Sequence, residues 1–516
     1  MSDRNRLERD EVVEDVREFV GTIEATHPAP FVRSGGRFSY YSEMQSLLDE
    51  VPADGWPERR LLTELSGLAA EIRDAHTFVP WPMADGEIPV RLGVVDGEIR
   101  VRAVHDADRL ALVGATLRQV DGVEIGALRR RQSRLRGSET PHGDLLNLAL
   151  SLCHWRSMAQ LLNRNDRPEE ATFAFETPDG TAYRETLGPT NTDATEWVGQ
   201  SSLDRPTSQG WPAYRMLPDR DAAWLRIPSM SDYREHFEFR RDDLDEGGRE
   251  HARSLYRTHT GEDPPDDFDE VLDGVPAALE AFRDLAAEMD TAGTETLVVD
   301  LRDNTGGMRV LVDLLTYVLY GWDGVATARN RPGAIRYSDP FVENRGEGPF
   351  EKANEERDWE LRLGEYAVED GEYGTEGGDT ADGGVREDLV DSLTTFERLE
   401  SPDWPTAGRY TPPNVVALSS ARTFSAGLSL LTTLGRLGAT VVGTAPVQAP
   451  TYFGDLVGFD LPNSQIRAVT ATSRIETLPE GPDDVLEPDR VLTADDWARY
   501  DFDRDASVRL ALDEYC

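Results

Sequence analysis

Thr423-Phe424-Ser425-Ala426-Gly427 is the stretch on which the reading of this chain turns. It follows a short apolar run, Asn414 to Leu418, and opens a Leu-rich run, Leu428 to Leu437, that ends at Gly438. That pattern predicts a buried strand, a tight turn and a helix. A serine at such a turn holds its hydroxyl clear of the backbone. The N–H of the next residue, Ala426, then stands at a helix N-terminus, where orphan donors favour negative charge. These are the parts of a nucleophile and one half of an oxyanion hole. The plain alternative is an N-cap serine whose hydroxyl accepts from the first turn.

A second stretch weighs against the plain alternative. Thr296 to Leu301 (TLVVDL) reads as a buried strand running into Arg302-Asp303-Asn304-Thr305-Gly306-Gly307. A glycine pair just beyond a strand permits positive φ or close backbone approach. Gly306 or Gly307 can therefore supply the second oxyanion donor. A third stretch, Asp74-Ala75-His76-Thr77, places a histidine in a turn at the end of a helical region. Histidine is the side chain suited to take a serine proton near neutral pH and return it to a leaving amine.

These stretches resemble the S41 family of serine peptidases, the tail-specific and tricorn-like proteases. Asp300 to Gly307 is similar to the family's DLR-x-N-x-GG strand end, the Ser425 turn to its nucleophile turn, and Asp74 to Thr77 to its D-x-H-T turn. Pro488-Asp489 is similar to its late Pro-Asp element. The four matches stand in the family's order and span almost the whole chain. The resemblance implies an α/β core of the S41, ClpP/crotonase-like kind, with residues 205–516 as protease core, residues 1–84 as an N-terminal helical domain and residues 85–190 as a PDZ-like β-rich module. It implies a serine peptidase that cleaves peptide or unfolded protein substrates through an acyl-enzyme, with Ser425 and His76 catalytic, Gly306, Gly307 and Ala426 lining the oxyanion hole, and neither cofactor nor metal. A catalytically inactive peptide- or ligand-binding protein on the same fold, and an esterase, are the alternative readings. The family's lysine base would fall near Pro450, but the one lysine of the chain, Lys352, precedes Ser425. The branch with a histidine base remains, and its third group is a glutamate shortly before the Pro-Asp element. Glu480 is the first choice, with Glu476, Asp484 and Glu487 as rivals. The serine that precedes the histidine in tricorn-like enzymes is Ala75 here, so the resemblance extends to a triad and not to a tetrad. Carboxylates around His76 are expected to push its titration upward.

The 516 residues carry 54 Lys+Arg against 97 Asp+Glu, a net charge of −43. Such a field excludes nucleic acid binding by general electrostatics. One lysine in so acidic a chain is the look of a protein from a salt-saturated cytoplasm, that of a haloarchaeal-like member. The charged start, Met1 to Val20, and the lack of any 18-residue apolar run lead to the expectation of a soluble cytoplasmic protein without a membrane segment. Two cysteines, Cys153 and Cys516, define no disulfide framework.

Arg4 to Thr26, Phe38 to Val51 and Arg59 to Ile72 have helical spacing. Ile88 to Val104 reads as two strands around Asp96-Gly97, and Asp121-Gly122 is a hairpin turn after a PDZ-like Gly114-Ala115-Thr116-Leu117 run. Ser231 to Pro265 is expected to be a surface insertion with too few apolar residues to pack, and Asp339 to Pro405 an acidic insertion, part of it mobile. Leu456 to Asp460 and Ile466 to Thr472 are expected to complete the α/β sheet.

The charge balance generates an expectation of its own. At 0.01 M salt the Debye length is about 30 Å, so repulsion among the carboxylates is poorly screened. The melting temperature should rise from dilute buffer to molar KCl; an unchanged value would contradict this.

Overall fold

A computed structural model describes residues 6–80, 86–162, 170–190, 197, 203–207, 210–241, 244–355, 357–369, 393, 410–478 and 484–516. The chain divides into two compact units. One comprises Met1–Gly199, Pro332–Asp370 and Val447–Val485; the other comprises Gln200–Arg331, Gly371–Pro446 and Leu486–Cys516. No helix among the described residues is long and apolar enough to cross a membrane.

The second unit is built on a six-stranded sheet in the order Arg490–Val491, Thr440–Gly443, Asn414–Ser419, Thr296–Asp300, Ala222–Arg226, Ala213–Leu217. All neighbours are parallel except the last pair. Thr296–Asp300 is buried throughout, as expected of a strand covered on both faces. Its register pairs Asp300 with Leu418. The two loops singled out in the sequence therefore leave adjacent parallel strands at their carboxyl ends, the usual place for ligands in open α/β sheets. The Pro-Asp element is part of this sheet's frame, with Asp489 Oδ2 accepting the Val441 N–H at 2.8 Å.

Beneath the loop that follows Asp300 lies a buried ion cluster. Arg302 makes a fork to Asp300 (2.8 and 2.7 Å) and reaches Asp505 at 2.9 Å. Asp505 is also held by Arg205 at 2.7 Å. Burial works to raise the Asp505 pKa, but the two guanidiniums hold it well below the usual carboxylate range.

Ser231 to Pro265 departs from expectation. It folds into helices Arg234–Phe239 and Glu246–Thr260, and contributes Phe237, Leu244, Ala252 and Leu255 to a small core with Val271, Leu272 and Val275. Its polar residues work as cement: Glu235 accepts from the N–H groups of Ala278 and Leu279 at 2.9 Å each, satisfying the open end of helix Ala278–Ala292.

The first unit holds helices Arg9–Thr26, Arg37–Asp49 and Glu58–Glu71, near their expected positions. Two antiparallel sheets follow. One runs Val90–Val95, Glu98–Val104, Thr116–Val120, Ala171–Glu176, Ala182–Leu187. Its turns at Asp96-Gly97 and Asp121-Gly122 have positive φ at both residues, as a tight two-residue hairpin requires. The other runs Tyr366–Glu369, Gly333–Arg336, Arg467–Glu476, Thr451–Asp460. The two extended runs expected to complete the parallel sheet instead form a hairpin in this separate sheet. Leu461, Ile466 and Ala468 of that hairpin join the core of the N-terminal helices. The first part of the acidic insertion is folded as well: Tyr337, Phe341, Ala353, Leu361 and Ala367 form an apolar cluster. Lys352 sits exposed on helix Gly348–Glu355 of that part. Most of 371–405, where mobility was expected, lies outside the described residues.

Removing Arg302 leaves two buried carboxylates without their shared cation. Arg302→Ala should destabilise by about 3–5 kcal/mol, read by urea unfolding in molar KCl. A loss below about 1 kcal/mol, the range of an exposed ion pair, would contradict the burial argument.

Candidate active site

Ser425 is the residue between strand Asn414–Ser419 and helix Ala426–Arg436 at which the chain reverses. Its backbone sits at φ 54, ψ −122, and its side chain does not cap the helix it opens. An N-cap serine has β-region backbone and a hydroxyl bonded to the first turn of its helix; Ser425 has neither that backbone nor that capping bond. A non-glycine residue in this region is strained and is kept there by its surroundings.

Those surroundings are the loop after Asp300. Asn304 is fully buried and joins three pieces of backbone. Its Nδ2 donates to the Ile227 carbonyl at 2.9 Å, its Oδ1 accepts the Gly306 N–H at 2.9 Å, and its carbonyl accepts the Phe424 N–H at 3.0 Å. Thr423 Oγ1 adds a bond to the Leu301 carbonyl at 2.9 Å. This role of Asn304 has no signature in the sequence, because bonds to backbone leave no pattern.

Gly306 lies against the serine. At its φ of 95 an added Cβ would stand 2.6 Å from Ser425 Cβ and 3.0 Å from the Phe424 carbonyl. With its N–H engaged by Asn304, Gly306 is not an oxyanion donor; it serves by close approach. Gly307 is exposed, at φ 132, beside Met230 and Ser231. Of the residues proposed for the oxyanion hole, Gly307 and Ala426 keep N–H groups with no acceptor among the described residues.

In the other unit, the turn Asp74–Thr77 is clamped to strand Arg467–Glu476. Phe78 and Val469 exchange both backbone bonds, at 3.0 and 2.9 Å, and Thr77 Oγ1 accepts from Ala471 N–H at 3.3 Å. Asp74 is fully buried. Its Oδ1 accepts the His76 N–H at 2.9 Å, and its Oδ2 accepts the Thr77 hydroxyl at 2.7 Å and faces His27 Nε2 at 3.3 Å. His27 Nδ1 accepts from Ala29 N–H at 3.0 Å, which places the neutral ring's proton on Nε2. Burial works to raise the Asp74 pKa; His27, His76 and Thr77 outweigh it and hold the carboxyl low.

His76 is buried, with its ring stacked on Tyr452 at 6.1 Å. Its Nδ1 lies 3.2 Å from Gln448 Nε2 and 4.0 Å from Asp74 Oδ1. Burial lowers the pKa of His76, against the upward pull of Asp74 and Asp455, and Arg136 lowers it further. The upward shift expected from neighbouring carboxylates is thus reversed, because desolvation of the imidazolium outweighs them. Glu139, which no sequence motif marks, brings a carboxyl oxygen within 4.8 Å of a carboxyl oxygen of Asp74 and a ring nitrogen of His76. Glu480 lies outside the described residues. Among its rivals, Glu476 is half-buried and ion-paired to Arg474, while Asp484 and Glu487 are exposed.

The site's centre is a strained serine turn at the carboxyl end of a parallel sheet, and the same fold recurs among solved structures. Mature CPAF complexed with lactacystin aligns over 98% of this chain and 99% of its own, at 15% identity and a TM-score of 0.57. Mature CPAF alone aligns over 98% and 96%, at 14% identity and a TM-score of 0.56. At such identities the likeness establishes the fold. No family model matches the sequence, and no curated protein does.

Gly306→Ala puts a methyl group against Ser425 Cβ and a side chain at a φ that L residues rarely adopt. The variant should lose covalent labelling of Ser425 by a fluorophosphonate, with a lowered melting temperature. Wild-type labelling would contradict the close approach.

Proposed function

We propose that this chain is a serine peptidase of the S41 type, cleaving peptide bonds through an acyl-enzyme with Ser425 as nucleophile and His76 as general base. The observation that carries the reading is the Ser425 turn: strained backbone, a hydroxyl not used as a cap, and two N–H groups, of Ala426 and Gly307, left for an anion. This is the form of a nucleophile elbow. The order of the sequence motifs supports peptide substrates, and the fold shared with mature CPAF agrees with the architecture that those motifs imply.

In the reaction, His76 Nε2 takes the Ser425 proton as Oγ attacks the scissile carbonyl. The tetrahedral oxyanion is held by the N–H groups of Ala426 and Gly307. The imidazolium then protonates the leaving amine, and water repeats the sequence on the acyl-enzyme. This role needs the proton of the resting ring on Nδ1, so Gln448 must turn its carbonyl oxygen, not its NH2, toward the imidazole. Asp74, ionised and 4.0 Å from Nδ1, favours the imidazolium as it forms.

Two finer readings accompany this one. The antiparallel sheet of residues 90–187 is PDZ-like and would capture peptide by strand addition. The acidic composition with one lysine fits a salt-rich cytoplasm.

Ser425→Ala should lose turnover by several orders of magnitude while melting as wild type does. His76→Ala should abolish fluorophosphonate labelling of Ser425, and Lys352→Ala should leave it intact. Since a base works deprotonated and burial lowers His76, labelling should first rise on the acid side of the ordinary histidine value, about 6.5. Near wild-type hydrolysis by Ser425→Ala would contradict the reading and favour a binding protein on this fold.

A further inference from the structure

Glu139 lies between helices Ile125–Gln132 and Pro141–Cys153, in a loop with little freedom. Ser138 Oγ donates to the Thr140 carbonyl at 2.9 Å, and Thr140 Oγ1 donates to the Val447 carbonyl at 2.7 Å while accepting the Gly143 N–H at 3.1 Å. On its other side the loop packs against the Asp74 turn. A Cβ added to Gly137 would lie 3.1 Å from the Ala70 carbonyl and 3.3 Å from the backbone N and O of Asp74. The backbone thus fixes Glu139 beside Asp74 and His76.

Both carboxyl oxygens of Glu139 are buried; the backbone N–H groups of Glu139 and Ala75 lie near enough to favour the carboxylate, but no donor reaches either oxygen at full bonding geometry. Leaving such a group unsatisfied is unfavourable. A cation is a poor answer, because Asp74 already accepts from the His76 N–H and the Thr77 hydroxyl. Arg33 and Arg136 act on the carboxyl through space, but neither donates a bond to it. His76 becomes a positive donor when it takes the serine proton.

We propose that Glu139 is a positioning residue for His76, its carboxylate stabilising the imidazolium that forms as the histidine takes the Ser425 proton. This rests on the reading of Ser425 and His76 given above. It assigns to Glu139 the orienting role for which the sequence offered Glu480.

The role carries a pH signature. Burial, then repulsion from Asp74, raises the Glu139 pKa, and Arg33 opposes them. Asp74, Asp455 and Arg136 are the other charged groups that face His76, and Arg136 also faces Glu139. Glu139 is therefore largely neutral near pH 7 and becomes a carboxylate on the alkaline side. A negative charge beside the forming imidazolium accelerates proton uptake, so the rate should rise in two steps, first with His76 and then with Glu139.

The test is the rate of Ser425 labelling by an alkyl fluorophosphonate across pH in molar KCl, on the full chain. Wild type should show an upper step near about pH 8. Glu139→Gln should keep the lower step, lose the upper one, and reach a plateau about tenfold lower or more, the equivalent of one pKa unit of lost interaction. Glu139→Asp should restore an upper step, which a merely structural role would not do. If Glu139→Gln melts early, Glu139→Asp carries the test through a displaced upper step. A wild-type profile in both variants would overturn the inference while leaving Ser425 and His76 in place. Absence of labelling in wild type would overturn the inference together with the reading beneath it.

Discussion

The approach of Gly306 to Ser425 is the constraint on which the candidate nucleophile depends. Two loops leave adjacent parallel strands and meet with no room for a methyl group between them. Asn304 locks the meeting by bonding the Ile227 carbonyl, the Gly306 N–H and, through its own carbonyl, the Phe424 N–H. With the backbone so determined on both sides, Ser425 can be held at a φ of 54 that an isolated turn would relax. The same packing leaves the Ala426 and Gly307 N–H groups without an acceptor among the described residues. The strain at Ser425 and the two open N–H groups thus have one physical origin.

The histidine turn is organised by a different force. Asp74, His76, His27 and Glu139 gather ionisable groups where water is largely excluded, so each proton position is set by its neighbours rather than by solvent. Asp74 is charged because donors surround it. His76 is neutral because burial disfavours its cation. A buried neutral imidazole with carboxyl groups near it is a base that gains stabilisation only when it accepts a proton, the differential interaction that catalysis requires.

Much of this was legible in the sequence where local chemistry decides. The TLVVDL strand, the serine turn, the Asp-Gly hairpins and the N-terminal helices follow from periodicity and turn residues alone. What was not legible depends on contacts between distant segments. The hairpin of Thr451–Asp460 and Arg467–Glu476 left the parallel sheet because its apolar face fits the N-terminal helices. Ser231 to Pro265 folds with few apolar residues because its charged ones satisfy backbone groups, as Glu235 does at the start of helix Ala278–Ala292. The sign of the His76 shift was misjudged because counting nearby carboxylates says nothing of desolvation. Glu139 has no motif around it; only the loop that presses Gly137 onto Asp74 marks it.

The most direct test of the central claim is a crystal structure of the chain after reaction with a peptidyl phosphonate. The account predicts phosphorus bonded to Ser425 Oγ, with one phosphonyl oxygen about 3 Å from the backbone nitrogens of both Ala426 and Gly307. An adduct on another residue, or an oxygen turned away from both N–H groups, would contradict it.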